Sequence, residues 1–354
     1  MIFFLIVPAQ LTLAQTASPS PTASTSNVSA AGARAGTEEF KRWFEIDQLA
    51  FSTRYQFIRN DDGRVATNSL QYQVAARGHF KFDRKGNYSI YAGLFTGRAF
   101  NSGWNDTGIG KAAYSATHNL KQLYFQARPI SALEFQVGGI APNNGENTEI
   151  TGYDSDGYIM GERVTIRAPK HAYFDEISVT NGFLGDITVP NVFDRFKRLS
   201  KSNYHQFMVR KQLGRNAAFS ADYTFDSGTD TLRQGLRAAI KGSKLLDSIQ
   251  LESYQRIDPS PGFGFHVYGQ KRLHKYFILG GGFARIDRAM LNADRFPKGD
   301  RFYLTSITNF SKEFSLTTMY IRGVAELQPN IPRTRVNIIL TYNLLETLRR
   351  YKLH

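Results

Sequence analysis

The sequence predicts an all-β protein, a transmembrane antiparallel up-and-down β-barrel of about 16 strands, within a range of roughly 14–18. Three observations predict this class. Apolar and polar residues alternate over segments of about ten residues. The segments are joined by connections that are alternately long and short. After residue 15, no apolar run approaches the ~20 residues that a membrane-spanning helix requires.

The alternation is clear in residues 69–82, SLQYQVAARGHFKF. Even positions are apolar or small, whereas most odd positions are polar or charged. Because the side chains of a strand point to alternate faces, this segment has one apolar face and one polar face. A barrel of this size has an interior too wide for side chains to fill. We therefore expect Val74 and Phe80 to face lipid and Gln73 and Arg77 to face water.

Composition narrows the alternatives. The chain has 354 residues, a formal charge of +14 and no cysteine, which excludes a disulfide scaffold and thiol chemistry. In a soluble β-sandwich or propeller, apolar and polar residues also alternate along each strand. The chain has only two tryptophans, Trp43 and Trp104, and no repeat of fixed period, which favours a barrel. The basic residues are spread through the strands rather than clustered, so we expect no nucleic-acid partner.

Four segments are predicted along the chain. Residues 1–15 resemble a signal peptide, although the usual positively charged start is missing. Residues 16–38 are rich in Ser, Thr, Pro and Ala and are expected to form a disordered linker. Residues 39–345 form the barrel. Residues 346–354 form a periplasmic tail, and 344–350 can form a helical turn.

The lengths of the connections predict which end of each strand lies on which side of the membrane. The connections expected to be long are 58–68, 101–119, 141–157 and 185–202. Those expected to be short include 83–86, 129–131 and 214–216. An even number of strands places both ends of the barrel on the side of the short turns, as in bacterial outer-membrane barrels.

On this pattern, residues 40–345 resemble the Gram-negative outer-membrane β-barrels, and most nearly the porin-like group. The resemblance implies an outer-membrane location, contact with outer-membrane lipids, assembly by the barrel-assembly machinery and a possible homotrimer. It also implies passive diffusion of small solutes. The C-terminus departs from the pattern, because such barrels usually end on an aromatic residue. Here RVNIILTYNL is followed by LETLRRYKLH, so the assembly signal is either internal, at Tyr342, or followed by a periplasmic extension.

The phase of the strands points many basic side chains toward the interior. The predicted pore-lining residues are Arg77, Lys81, Arg128, Arg163, Arg167, Arg210, Arg233, Arg237, Lys241, Arg256 and Arg335, and the same phase applies to Arg54, Arg285 and Arg322. Inward acids are fewer, and the clear ones are Glu134, Asp222 and Glu252. A wall of positive charge favours anions. The alternative is that any water-filled interior is polar, with its arginines paired to acids.

Arg233, Arg237 and Lys241 form the most regular basic series. A spacing of four residues keeps all three on one face of a strand. Replacing them with Gln is expected to reduce any preference for anions. Arg163 and Arg167 form a shorter version.

Two long connections, 101–119 and 141–157, are candidates for a constriction loop inside the barrel. The 141–157 connection carries Glu146, Glu149, Asp154 and Asp156, which would face the basic wall. The alternative is that these loops cover the outer mouth. Asp154 and Asp156 are reminiscent of a calcium loop, but the remaining ligand spacing is missing, so no metal site is expected.

No spacing of residues predicts catalysis or a cofactor. None of the histidines lies with a nucleophile and an orienting group in a recognisable pattern, although His205 is near Ser202. The sequence therefore predicts a channel and not an enzyme. A plugged barrel that acts as a receptor, adhesin or structural protein is the alternative, and a barrel lipase or protease is a third class.

Overall fold

The computed structural model describes residues 43–97, 103–148, 150–151, 157–167, 173–184, 189–258, 261–286, 299–326 and 333–351. The predicted signal peptide, linker and final tail residues lie outside these ranges. Those segment boundaries therefore remain predictions. No helix among the described residues is long and apolar enough to cross a membrane.

The described chain is built almost entirely from strands, with one 3₁₀ helix and one α-helix. The strands are β1 Phe44–Asn60, β2 Val65–Lys81, β3 Tyr88–Thr96, β4 Asn105–Gly110, β5 His118–Ile130, β6 Leu133–Ile140, β7 Ile159–Arg167, β8 Glu176–Phe183, β9 Tyr204–Gln212, β10 Ala217–Asp226, β11 Thr229–Ala239, β12 Ser248–Asp258, β13 Gly262–His274, β14 Phe277–Ile286, β15 Gly299–Asn309, β16 Phe314–Glu326 and β17 Arg333–Asn343. The helices are a 3₁₀ helix, Val192–Arg198, and α1, Leu344–Arg350.

The strands form one antiparallel sheet that closes on itself. Each strand pairs with its neighbours in the chain, and β1 pairs with both β2 and β17. The short β4 belongs to the connection after β3 and extends the sheet beside β2, while β3 pairs directly with β5. Sixteen strands therefore close the barrel, which confirms the predicted class and strand number. Among the described residues, closure pairs each of these sixteen strands on both of its edges, as a hydrocarbon environment requires.

The two ends of the barrel differ in their connections. At one end, which we call the short-turn end, β5 and β6 are joined by two residues and β9 and β10 by four. The opposite, long-loop end carries connections 97–117, 141–158 and 184–203. The predicted long connection at 58–68 is wrong. β1 and β2 run for 17 residues each and are joined by a tight turn in which Gly63 adopts a φ of +86°, a conformation that favours glycine.

The two faces of the wall differ as the alternation predicts. On β1, Phe51 and Tyr55 are exposed on the outer face, whereas Ser52 and Arg54 are buried on the inner face. On β2, Phe80 is exposed and His79 is buried. Apolar residues thus cover the outside, and polar residues are packed against each other and against a loop inside.

The connection after β8 folds back over the outer face of the wall. Its 3₁₀ helix contacts β5, β6 and β7, and Val192 packs into a cluster with Met160 and Leu123. Gly139 makes this possible, because a Cβ atom there would lie 2.2 Å from Val192 Cγ2.

The α1 helix confirms the predicted helical turn after the last strand. Asn343 caps it by accepting a hydrogen bond from the Glu346 amide at 3.4 Å. Glu346 lies in its first turn and Arg349 and Arg350 in its last, which complements the helix dipole. Because β1 begins and β17 ends at the short-turn end, α1 lies at that end as well.

Candidate functional site

The connection between β6 and β7 lies against the inner wall of the barrel. Its first residues contact successive strands through hydrogen bonds. Arg163 on β7 donates to the Ala141 carbonyl at 2.7 Å, and Asn143 donates to Ser178 on β8 at 3.1 Å. Gln206 on β9 donates to the Asn143 carbonyl at 2.8 Å. We call residues 141–148 and 150–151 the docked segment.

Glu146 is the charged centre of the docked segment. Its carboxylate lies 2.6 Å from Arg210 Nε and 2.7 Å from Arg237 Nε, on β9 and β11. Its amide donates to Ser220 Oγ at 2.7 Å. The side chain is 3% exposed. One carboxylate therefore joins two strands of the basic wall, and the two arginines exceed it by one positive charge.

A glycine on β11 lets the docked segment approach the wall closely. A Cβ atom at Gly235 would lie 2.6 Å from the carbonyl carbon of Glu146 and 2.7 Å from the amide nitrogen of Asn147. Both contacts are with backbone, which cannot swing away as a side chain can. Nothing in the pattern of residues around Gly235 predicts this close approach.

The far end of the docked segment is held by β12 and β13. Thr151 Oγ1 donates to Glu252, whose other oxygen lies 3.0 Å from His266 Nδ1. Ile150 joins an apolar cluster on the inner wall that includes Tyr254 and Tyr268. The described part of the segment thus follows the inner wall from β7 to β13.

Among the other predicted acids, Glu149, Asp154 and Asp156 lie outside the described residues. Only Glu146 of that group has a described position. The structure places it against the basic wall, which is the arrangement that the sequence predicts for a loop folded into the barrel.

The structure places the three residues Arg233, Arg237 and Lys241 in three different environments. Arg233 is paired with Asp222, and both side chains are almost fully buried. Arg237 contacts Glu146. Lys241 lies beyond the end of β11, in the exposed turn that follows Ala239, and so is not on the inner wall. The strand ends earlier than the spacing suggested, and Gly242, with a φ of +77°, completes the turn.

Arg128 and Arg167 meet near the short-turn end. Both contact the same oxygen of Glu134, and the distance from Arg167 Nη2 is 3.3 Å. Arg167 also lies 3.6 Å from Glu176. Two carboxylates balance these two arginines.

Arg163 is held by neutral groups. It donates to Thr180 Oγ1 at 2.9 Å and to Gln136 Oε1 at 3.2 Å, besides the Ala141 carbonyl. It is 8% exposed. Its positive charge therefore adds to the surplus beside the docked segment.

Arg77 and Lys81 lie on the inner face of β2. Arg77 stacks over the ring of Phe95, with 4.7 Å to the centroid, and Lys81 pairs with Glu45 at 2.5 Å. Between them, His79 contacts Asp47 at 2.9 Å.

Arg256 and Arg335 make weaker polar contacts near the long-loop end. Arg256 donates to the Asp258 carbonyl at 3.5 Å, and Arg335 donates to Asn337 Oδ1 at 3.2 Å. Both share the phase of inward-facing residues on their strands.

The inward orientation predicted for Arg285 and Arg322 is wrong. On β14 the buried neighbours Ala284 and Ile286 face inward, so Arg285 faces outward, where it pairs with Asp300 at 2.5 Å. Arg322 also faces outward and pairs with Asp61. Both lie close to the long-loop end, where polar residues occupy both faces.

Trp104 lies inside the barrel, in a contact that the sequence did not predict. Arg54 stacks over the ring of Trp104 with 4.2 Å to the centroid, and its Nε donates to Gln71 at 2.8 Å. Trp104 is 8% exposed. Trp104 belongs to the 101–119 connection, one of the two candidates for a loop folded into the barrel, but the sequence did not predict its contact with Arg54.

The closest approach to a catalytic arrangement is on the outer face. Ser202 Oγ lies 3.2 Å from His205 Nε2, but the hydroxyl donates to Asn181 Oδ1 at 2.6 Å. Its proton is thus directed away from the imidazole that would have to accept it. Across the described ranges, no three potential metal ligands lie together.

Comparisons with solved structures find this fold in porins. A mutant of Rh. blastica porin superposes with a TM-score of 0.53 at 12% identity, covering 84% of this chain and 100% of that chain. Pseudomonas putida OprB at high pH superposes with a TM-score of 0.57 at 11% identity, covering 87% and 96%. No family model and no curated protein matches the sequence. At these identities, the similarity establishes the fold alone.

Proposed function

We propose that the chain is an outer-membrane channel for passive diffusion of small solutes, with a preference for anions. The observation that supports this proposal most directly is the contact of Glu146 with both Arg210 and Arg237. It fixes the docked segment against the inner wall and leaves positive charge beside it. A fixed positive charge in a narrow aqueous path raises the local concentration of anions.

A count of the charged groups at the docked segment supports this excess of positive charge. Arg163, Arg210 and Arg237 contact the segment. Two carboxylates offset them, Glu146 of the segment itself and Glu252 on β12, which leaves one positive charge in excess. Arg233 does not contribute, because Asp222 neutralises it. The passage would discriminate by width and charge, without a covalent step.

The same proposal assigns the two ends of the barrel. In outer-membrane barrels the short turns face the periplasm and the longer loops face outside. The short-turn end, which carries α1, would then be periplasmic. The porin fold of the similar structures supports an outer-membrane location and is consistent with a homotrimer.

A closed barrel is the second candidate. Both Trp104 and the docked segment occupy the interior, which favours a plugged receptor or structural protein if together they fill the lumen. Conductance separates the two functions.

The test is single-channel conductance of the refolded protein in a planar bilayer, with a salt gradient to give the reversal potential. We expect steady conductance and a reversal potential of the sign for anions. Arg237→Gln should reduce that potential, whereas Arg285→Gln, on the outer face, should leave it unchanged. A correctly folded barrel that does not conduct would contradict the channel, and an equal response to both substitutions would contradict the charge argument.

A further inference from the structure

The turns of the short-turn end carry a surplus of exposed cations. Within the described part of the chain, none of the following makes an ion pair: Arg84, Lys85, Lys241, Lys244, Lys275 and Lys312. They lie in four turns, after β2, β11, β13 and β15. In the strand order, the turns after β11, β13 and β15 follow one another, and the turn after β2 comes next beyond β17 and β1, so the four turns occupy one half of the rim.

Some other cations at this end pair with carboxylates, whereas Asp83, beside Arg84 and Lys85, accepts hydrogen bonds from the amides of Lys85 and Tyr88. Lys211 pairs with Asp175 at 3.2 Å, and Lys271 pairs with Asp247 at 2.7 Å. At the long-loop end, the outward Arg285 is likewise paired with Asp300. The cations left over in the short turns are therefore a property of those turns and not of outward-facing cations in general.

Each of these turns also exposes large apolar side chains. Phe82 and Tyr88 flank Arg84 and Lys85 on the outer face. Aromatic residues at this position mark the level of the membrane–water interface. The cations between them therefore lie at the depth of the lipid headgroups.

The other turns repeat the arrangement. Lys275 Nζ lies 4.7 Å from the centroid of the Tyr276 ring, and Phe310 and Phe314 are exposed on either side of Lys312. Leu245, beside Lys244, is 82% exposed, which in water would be costly and at the membrane interface is favourable.

We propose that the short-turn end binds the phosphate groups of anionic phospholipids in the leaflet that it faces. This inference rests on the proposed position of the barrel in a membrane, but not on its conducting solutes. Each Lys or Arg close to an anionic membrane surface strengthens association by a factor of about five. The exposed apolar side chains beside these cations fit a lipid surface, where phosphates lie next to hydrocarbon, better than a water-soluble polyanion.

The test compares the full-length protein with two variants of equal charge change. In the first, K244Q, K275Q and K312Q remove three cations from the short turns. In the control, K197Q, R198Q and K201Q remove three exposed cations from the connection at the long-loop end, which make no ion pair among the described residues. Each protein is refolded into phosphatidylcholine vesicles with and without phosphatidylglycerol, and the urea midpoint of unfolding is measured.

We expect phosphatidylglycerol to raise the midpoint of the wild-type protein and of the control, and high salt to remove the increase. The first variant should lose most of the increase. An equal increase in all three proteins would overturn the proposal. So would an unchanged lipid response together with loss of binding to isolated cell-wall sacculi, which would assign the cations to that polymer.

Conductance of the same three proteins keeps the two proposals apart. If they bind anionic lipid as expected but none conducts, the channel fails and the lipid site stands. If they conduct but the first variant keeps its full lipid response, the lipid site fails and the channel stands.

Discussion

The carboxylate of Asp222 accepts two hydrogen bonds from the guanidinium of Arg233, at 2.9 Å from Nε and 2.8 Å from Nη2. The two residues lie directly opposite each other on β10 and β11. Their side chains are 0% and 2% exposed. The pair is neutral as a whole, so it holds two strands together without adding to the field of the interior.

Asp222→Asn should therefore destabilise the barrel. The substitution removes the negative partner and leaves a buried guanidinium charge, which costs about 3–5 kcal/mol in the free energy of unfolding. Urea unfolding in vesicles measures the change. Asp258→Asn, at an exposed position near the long-loop end, is the control and should change stability little. Equal losses of stability in the two variants would show that the contact of Asp222 with Arg233 contributes no more to the free energy of unfolding than an exposed aspartate does.

Glu146→Gln should increase the preference for anions. The substitution removes the carboxylate that contacts both Arg210 and Arg237, while the amide can still accept a hydrogen bond from one of them. The reversal potential in a salt gradient should move further in the direction of anions. Glu162→Gln is a matched control, because Glu162 is exposed on the outer face of β7. A potential that does not move with Glu146→Gln would remove this group from the selectivity of the pore.

The alternation of residues was sufficient to predict the wall. It placed Phe80 outside and Arg54 inside, because a period of two is fixed by strand geometry whatever the neighbouring strand is. It failed for Arg285 and Arg322, near the long-loop end. Beyond the apolar band, both faces of a strand meet water, so polarity no longer reports the face.

The candidate site was predictable only in part. The sequence identified Glu146 and a basic wall as possible partners, because acids in a long loop and arginines in strands are visible in the residues themselves. The pairing of Asp222 with Arg233 depends on the register of β10 against β11, and the choice of Arg210 and Arg237 depends on the path of the loop. Neither can be derived from spacing within one strand.

Gly235→Ala should displace the docked segment. The new Cβ atom would lie 2.6 Å from backbone atoms of Glu146, so the segment must move or the wall must bend. Overpacking of this kind costs about 1–3 kcal/mol. We expect a lower urea midpoint and an altered single-channel conductance.

Gly281→Ala is the matched control for that substitution. Gly281 is also a strand glycine, but a Cβ atom there would meet its nearest neighbour at 3.4 Å, an ordinary contact. Its conductance should equal that of the wild type. If both alanine variants conduct alike, the close approach at Gly235 does not set the width of the passage.

Low pH should destabilise the short-turn end, because two aspartates there become protonated and lose their contacts. Asp247, just before β12, accepts hydrogen bonds from Lys271 Nζ and the Arg272 amide, both at 2.7 Å, and these contacts lower the pKa of its carboxyl. In Asp175, just before β8, the hydrogen bond from the Gln212 amide is the main cause of a lowered pKa. Each aspartate thus holds the neighbouring strand at the turn.

The sign of the pH effect follows from the direction of these shifts. A carboxyl with a lowered pKa in the folded state stabilises it above the unfolded pKa of about 3.9, and this contribution is lost as the pH falls through the folded value. We therefore expect the urea midpoint to fall below about pH 4. Asp175→Asn combined with Asp247→Asn should lower the midpoint at neutral pH and flatten its decrease in acid. A double variant with the same acid slope as the wild type would show that other carboxylates govern the transition.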